Sequence, residues 1–94
     1  MTAYVVGRMH VRDRDKWEQY LAQVGATFAP YQGEVVLRGR DAVSLDGVDA
    51  HELAVVVRFP DLAAAERWRQ SPAYRRIVPL RDEAADVVLT AYSA

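Results

Sequence analysis

Five successive residues, Leu53-Ala54-Val55-Val56-Val57, are apolar without alternation, inside a segment from His51 to Phe59 that Pro60 ends. A strand with one wet face alternates apolar and polar residues, whereas a strand apolar on both faces is covered on both. The segment His51–Phe59 is therefore predicted to be a central strand. The remaining chain must supply its neighbours in the sheet, a layer over one face, and something to meet the other.

Ala3 to Val11, rich in valine and tyrosine, reads as the first strand, and period two places Tyr4, Val6, Arg8 and His10 on one face with Ala3, Val5, Gly7, Met9 and Val11 on the other. Asp13 then suits a helix N-cap, because Trp17, Tyr20, Leu21, Val24, Phe28 and Tyr31 recur at spacings of three and four and form one apolar stripe. Pro30 and Gly33 end that helix. Glu34 to Arg40 and Ala42 to Leu45 read as a second strand interrupted around Gly39, with Asp46-Gly47 as a turn before the central strand. Asp61 caps a second helix through Leu62, Ala65 and Trp68 to Gln70. Ser71-Pro72 breaks it, and a further helical segment from Ala73 carries Tyr74, Ile77 and Val78 inward. Asp86 to Tyr92 closes the chain as the last strand.

The order β, α, β, β, α, β is the split βαβ arrangement of the ferredoxin-like α+β class: a four-stranded antiparallel sheet with its helices on one face. The 94 residues form one domain, residues 1–94, with no linker or repeat. A domain of this size buries a modest share of its surface, and the sheet face without helices must meet solvent, a ligand or a second sheet. A homodimer formed through that open face answers both conditions.

Composition excludes several classes. The formal net charge of -1 supplies no general attraction to nucleic acid or to an anionic membrane. Without cysteine there are no disulfides, thiolate metal sites, iron–sulfur clusters or thiol nucleophiles. The N-terminus lacks the pattern of a signal peptide and the longest aliphatic run is far too short to span a bilayer, so a cytoplasmic location is expected. The third strand HELAVVVRF lacks the stacking aromatics of RNA-binding sheets that share this strand order. Neither a Gly-rich phosphate loop nor a GxSxG elbow occurs.

Helices need an apolar surface beneath them, so Val5, Met9 and Val11 belong under the helices and Arg8 and His10 on the open side. The same parity puts Arg38, Arg58, Thr90 and Tyr92 there, among Val36, Ala54, Val56 and Val88. Between two facing sheets such arginines would welcome a carboxylate, phosphate or phenolate, or would pair with Glu34, Glu52 or Asp86. His10 would act there as a general acid or base. His51, Asp49 and Glu52 are close in sequence but have no regular metal-ligand spacing, and no metal is expected. Trp17 and Trp68 lie at core spacing. Arg67, Arg69, Arg75, Arg76 and Arg81 read as a solvated helical face. Tyr74, just after the helix break, packs in the core or turns its hydroxyl into a neighbouring cleft.

Val11-Arg12-Asp13, Ala29-Pro30-Tyr31-Gln32-Gly33, VLRGR, VVVRFPD and the run Trp68 to Tyr74 (W-x-x-SPAY), followed by Arg81, resemble domain-of-unknown-function family 1330 of the dimeric α/β-barrel superfamily over nearly the whole chain. The resemblance implies a homodimer in which two sheets close one barrel, with a pocket in each protomer between the open sheet face and its helices or loops. It also implies Asp13, Arg38, Ser71, Tyr74 and Arg81 as substrate-site positions. The chain departs from the family pattern at His51, where a basic residue is more usual.

The wider superfamily includes cofactor-independent monooxygenases, haem-degrading enzymes, lactone isomerases and polyketide cyclases. Its haem-degrading and quinone-forming members typically use a pocket asparagine, and this chain has no asparagine. What the resemblance then leaves is a small-molecule enzyme of secondary or catabolic metabolism. It would be an isomerase, cyclase or lyase that moves protons without metal or organic cofactor on a carboxylated or phenolic substrate. His10 and Tyr74 would be catalytic, while Arg8, Asp13, Arg38, Ser71 and Arg81 would bind substrate. Two alternatives are a non-catalytic ligand-binding or regulatory homodimer and a cofactor-free monooxygenase.

Overall fold

The computed structural model describes all 94 residues. Strand β1 (Ala3–Val11) leads to helix α1 (Arg14–Phe28), a single 3-10 turn (Ala29–Tyr31), strands β2 (Glu34–Gly39) and β3 (Leu53–Phe59), helices α2 (Leu62–Gln70) and α3 (Pro72–Ala84), and strand β4 (Ala85–Ser93). The strands form one antiparallel sheet in the order β2-β3-β1-β4, a ferredoxin-like α+β fold, with β3 and β1 interior.

Each helix starts where a short polar side chain can accept from an unpaired backbone N–H. Asp13 accepts from Lys16 N at 3.1 Å, Asp61 from Ala64 N at 2.8 Å and Ser71 from Tyr74 N at 3.3 Å. Ser71 also donates to the Trp68 carbonyl at 2.7 Å, so one residue ends α2 and opens α3. Behind α1 the chain turns tightly at Gly33, where a Cβ would stand 2.8 Å from the Phe59 ring.

The core lies between helices and sheet, built from Val5, Met9, Val57 and Phe59 below and Trp17, Tyr20, Phe28, Trp68, Tyr74 and Ile77 above. Trp68 stacks at a tilt near Phe28, Phe59 and Tyr74, and its indole N–H donates to Thr27 Oγ1 at 2.9 Å. The first-strand register holds: Val5 and Met9 are buried under the helices, and Tyr4, Val6, Arg8 and His10 lie opposite Arg58, Val56, Ala54 and Asp86 on the open face.

Three expectations change. Ala42 to Leu45 is not strand; Asp41 takes a left-handed φ of 55°, which ends the extended run, and Ser44 Oγ donates to the Gly47 carbonyl at 2.6 Å in a turn. The third strand starts at Leu53 rather than His51, because Asp49 folds back to accept from His51 N at 2.9 Å. Arg38 is not on the open face. Glu34 and Val35 pair with Arg58 and Val57, but Leu37 then pairs with Val56 and Arg38 with Val55. Val36 is an extra residue, a β-bulge that reverses parity beyond it and turns Arg38 to the helix side.

Candidate functional site

Helix α1 runs against α3 rather than along any strand. The space it leaves over the sheet is a cavity of about 550 Å³. Trp17, Tyr20, Leu21, Val24 and Phe28 of α1 face Val5, Met9, Val35, Val55, Val57 and Leu89 of the sheet across it, and Trp68 closes one side. Charged side chains reach it only from the β2 side, where Arg38 and Arg40 stand. Neither a carboxylate nor a histidine lines it.

The arginines of the strands differ in how they are satisfied. Arg8 bonds Asp49 at 2.6 Å and Arg58 bonds Glu34 at 2.9 Å, both pairs spanning the open face. Arg38 has no carboxylate partner and lies exposed at the cavity. An unpaired guanidinium beside an apolar hollow is a site for an anionic group on an otherwise apolar molecule.

One α1 residue of the cavity wall, Tyr20, carries a hydroxyl. It lies 3.0 Å from the hydroxyl of the fully buried Tyr74, and Arg81 Nη1 donates to the Tyr74 oxygen at 3.0 Å. Burial, together with Tyr74, pushes the Tyr20 phenol well above its ordinary value of 10. Arg81 is not part of a solvated face: its side chain is 12 % exposed, lies near the Tyr74 ring and bonds Asp82 at 3.0 Å.

The remaining candidates lie elsewhere. His10 is on the open face, half-exposed, with Nδ1 2.8 Å from Glu52 Oε2, while Glu52 Oε1 accepts from Val11 N at 3.0 Å. Those two contacts, the backbone one first, lower Glu52 from 4.5 to about 2. Asp49 falls to about 2 in the same way, through the His51 backbone and ring and then Arg8. Asp13 and Ser71 use their side chains at helix starts. Asp49 turns to His51 and Arg8 while Glu52 turns to His10, so His51, Asp49 and Glu52 do not converge on one point.

Sequence reasoning brought forward Arg38, Tyr74 and Arg81 but not Tyr20, which looked like one more member of the α1 core stripe. A hydroxyl on that stripe was the available signal. Arg12 was missed as well: it donates to the carbonyls of Asp82, Glu83 and Ala85 and to Asp86, tying the β1–α1 turn to the end of α3.

The family model described as Domain of unknown function (DUF1330) matches residues 2–93. No curated protein matches the sequence. Among solved structures, a protein of unknown function from Rhodopseudomonas palustris is 20 % identical with a TM-score of 0.84, covering 99 % of this chain and 82 % of that one. A dimeric ferredoxin-like protein of unknown function from Jannaschia is 12 % identical with a TM-score of 0.79, covering both chains fully. SnoaB, a cofactor-independent oxygenase from Streptomyces nogalater, is 16 % identical with a TM-score of 0.71, covering 99 % of this chain and 92 % of that one. At these identities the likeness is one of fold.

Proposed function

This chain belongs to domain-of-unknown-function family 1330, and we propose that it is a small-molecule enzyme whose substrate enters the cavity beneath α1 with a carboxylate or phenolate on Arg38. The observation that carries this reading is the unpaired Arg38, turned by the Val36 bulge onto a cavity with apolar walls. Its volume of about 550 Å³ falls in the range of small-molecule sites, about 300–1,000 Å³. The reaction class is a cofactor-independent isomerisation or cyclisation, which has no net proton or electron balance to meet from outside. Tyr20, backed by Tyr74 and Arg81, is the group offered to the reacting end.

The protein acts as a homodimer through the open face in this reading. Arg8, His10 and Arg58 already have acidic partners within the protomer. Val36, Leu37, Val88 and Tyr92 remain exposed at 50, 54, 38 and 56 %. Such a face suits a second sheet better than an anionic ligand.

Calorimetric titration with aromatic carboxylates tests the site. The wild-type chain should bind them, and Arg38→Gln should weaken binding about tenfold or more, the loss expected for one charged hydrogen bond. Equal affinity of the two proteins, or equal affinity for acid and methyl ester, would sink the assignment of Arg38.

A second reading, a ligand-binding dimer without catalysis, is favoured by one observation: no carboxylate or histidine lines the cavity to serve as a base. Protein-promoted deuterium exchange at the carbon beside the carbonyl of a bound keto acid separates the two. Exchange above the buffer rate supports the enzyme, and its absence across the series supports the binder.

A further inference from the structure

Tyr74 is completely buried, and its oxygen already accepts from Arg81 Nη1 at 3.0 Å. Its own hydrogen has the Tyr20 oxygen at 3.0 Å as its partner. A buried hydroxyl hydrogen without an acceptor is costly, so the donors run from Arg81 to Tyr74 to Tyr20. That order leaves the Tyr20 hydrogen over, on a residue that forms a wall of the cavity beside Trp17 and Val24.

From this arrangement we infer that the Tyr20 hydroxyl is the hydrogen-bond donor inside the cavity, and that it receives the carbonyl or enolate oxygen of a substrate whose anionic end lies on Arg38. Tyr74 and Arg81 are positioning residues that act through Tyr20. The inference rests on the reading of the cavity as the ligand site, and it narrows the ligand class to apolar keto acids and keto phenols.

Three features support a donor role. A hydrogen-bond chain that begins at a guanidinium polarises each successive hydroxyl, so the last one donates more strongly than an isolated phenol. The Tyr20 ring is held by stacking on Trp17 at 5.0 Å and by an edge contact with Tyr74 at 6.5 Å, so its hydroxyl is placed before the ligand arrives. Burial keeps the phenol protonated, which makes it a donor rather than a base. A fixed donor in an apolar space favours an oxygen that gains negative charge, as a ketone oxygen does on passing to an enolate. Tyr20 makes and breaks no covalent bond in this role.

The test uses 4-acetylbenzoate labelled with carbon-13 at the ketone, bound to the full chain and read by infrared difference spectroscopy. In the wild-type protein the ketone band should lie below its position for the methyl ester in dry apolar solvent. Tyr20→Phe should retain the probe with roughly three- to tenfold weaker affinity, with the band restored to the unbonded position. Tyr74→Phe should leave it between the two. Arg38→Gln should weaken binding without moving the band. An identical lowered band in wild type and Tyr20→Phe overturns the inference and leaves the cavity reading standing. A probe that does not bind the wild-type chain overturns both. If Tyr20→Phe does not fold, the ketone carbon-13 shift in the wild-type complex reads the same bond; a value equal to that in apolar solvent overturns the inference.

Discussion

Glu52 shows how single residues on this protein link distant segments. One carboxylate accepts from the Val11 backbone and meets the His10 ring, so the segment before β3 is tied to the end of β1. Because the folded state holds Glu52 near 2 against an ordinary 4.5, it binds fewer protons than the unfolded chain between those values. Its contribution is present above about pH 4.5 and is lost as pH falls toward about 2. Urea midpoints measured across that window should therefore fall less steeply for Glu52→Gln than for the wild-type protein. Parallel slopes would mean that the contact does not hold in solution. Asp49, lowered by His51 and Arg8, adds to the wild-type slope with the same sign.

Among the elements, β2 carries the most consequence for function. An extra residue, Val36, separates Glu34 and Val35, which follow one alternation, from Leu37 and Arg38, which follow the other. Deleting Val36 should give an uninterrupted ladder in which Leu37 still faces Val56 and Arg38 still faces Val55, so Arg38 stays on the helix side. Binding of aromatic carboxylates should then stay close to that of the wild-type chain, and the far-ultraviolet circular dichroism should stay that of the folded chain. A loss as large as that in Arg38→Gln, about tenfold, in a folded deletion variant would show that the register of β2 against β3 does not by itself place the anion site. The β2 segment was legible as extended structure from its valines, but its face was not. Parity is reliable only while each residue opposes one partner, and nothing in Val35-Val36-Leu37 marks which of the three is the extra one.

At the scale of the whole molecule, helices cover one side of the sheet and the other side is left with exposed apolar residues and internally paired charges. No helix is long and apolar enough to cross a membrane. If the open face pairs with a second copy, sedimentation should give twice the chain mass of 10.6 kDa. Val88→Asp would add a second carboxylate beside the Arg8–Asp49 pair, leaving one uncompensated negative charge against the facing sheet, where its burial is expensive. Dissociation to the monomer at the same concentration is expected, with aromatic carboxylate affinity changed little because the cavity lies on the other side. A wild-type protein that sediments at 10.6 kDa at every concentration would remove the dimer.

The sequence by itself determined the order of elements, the caps at Asp13 and Asp61, the central place of β3 and the two faces of β1. Those features depend on spacing along one segment, and period two or period three-to-four can be read without knowing any partner. Tertiary structure alone decided where Arg38 points, because that depends on how β2 registers against β3. It also decided that Arg8 and His10 are held by Asp49 and Glu52 across the open face. The Tyr20–Tyr74 pair joins residues 54 positions apart, and only the packing of α1 on α3 brings the two hydroxyls together. Local periodicity carries no information about such distances, since chain geometry beyond one element is set by the burial of surfaces contributed by several.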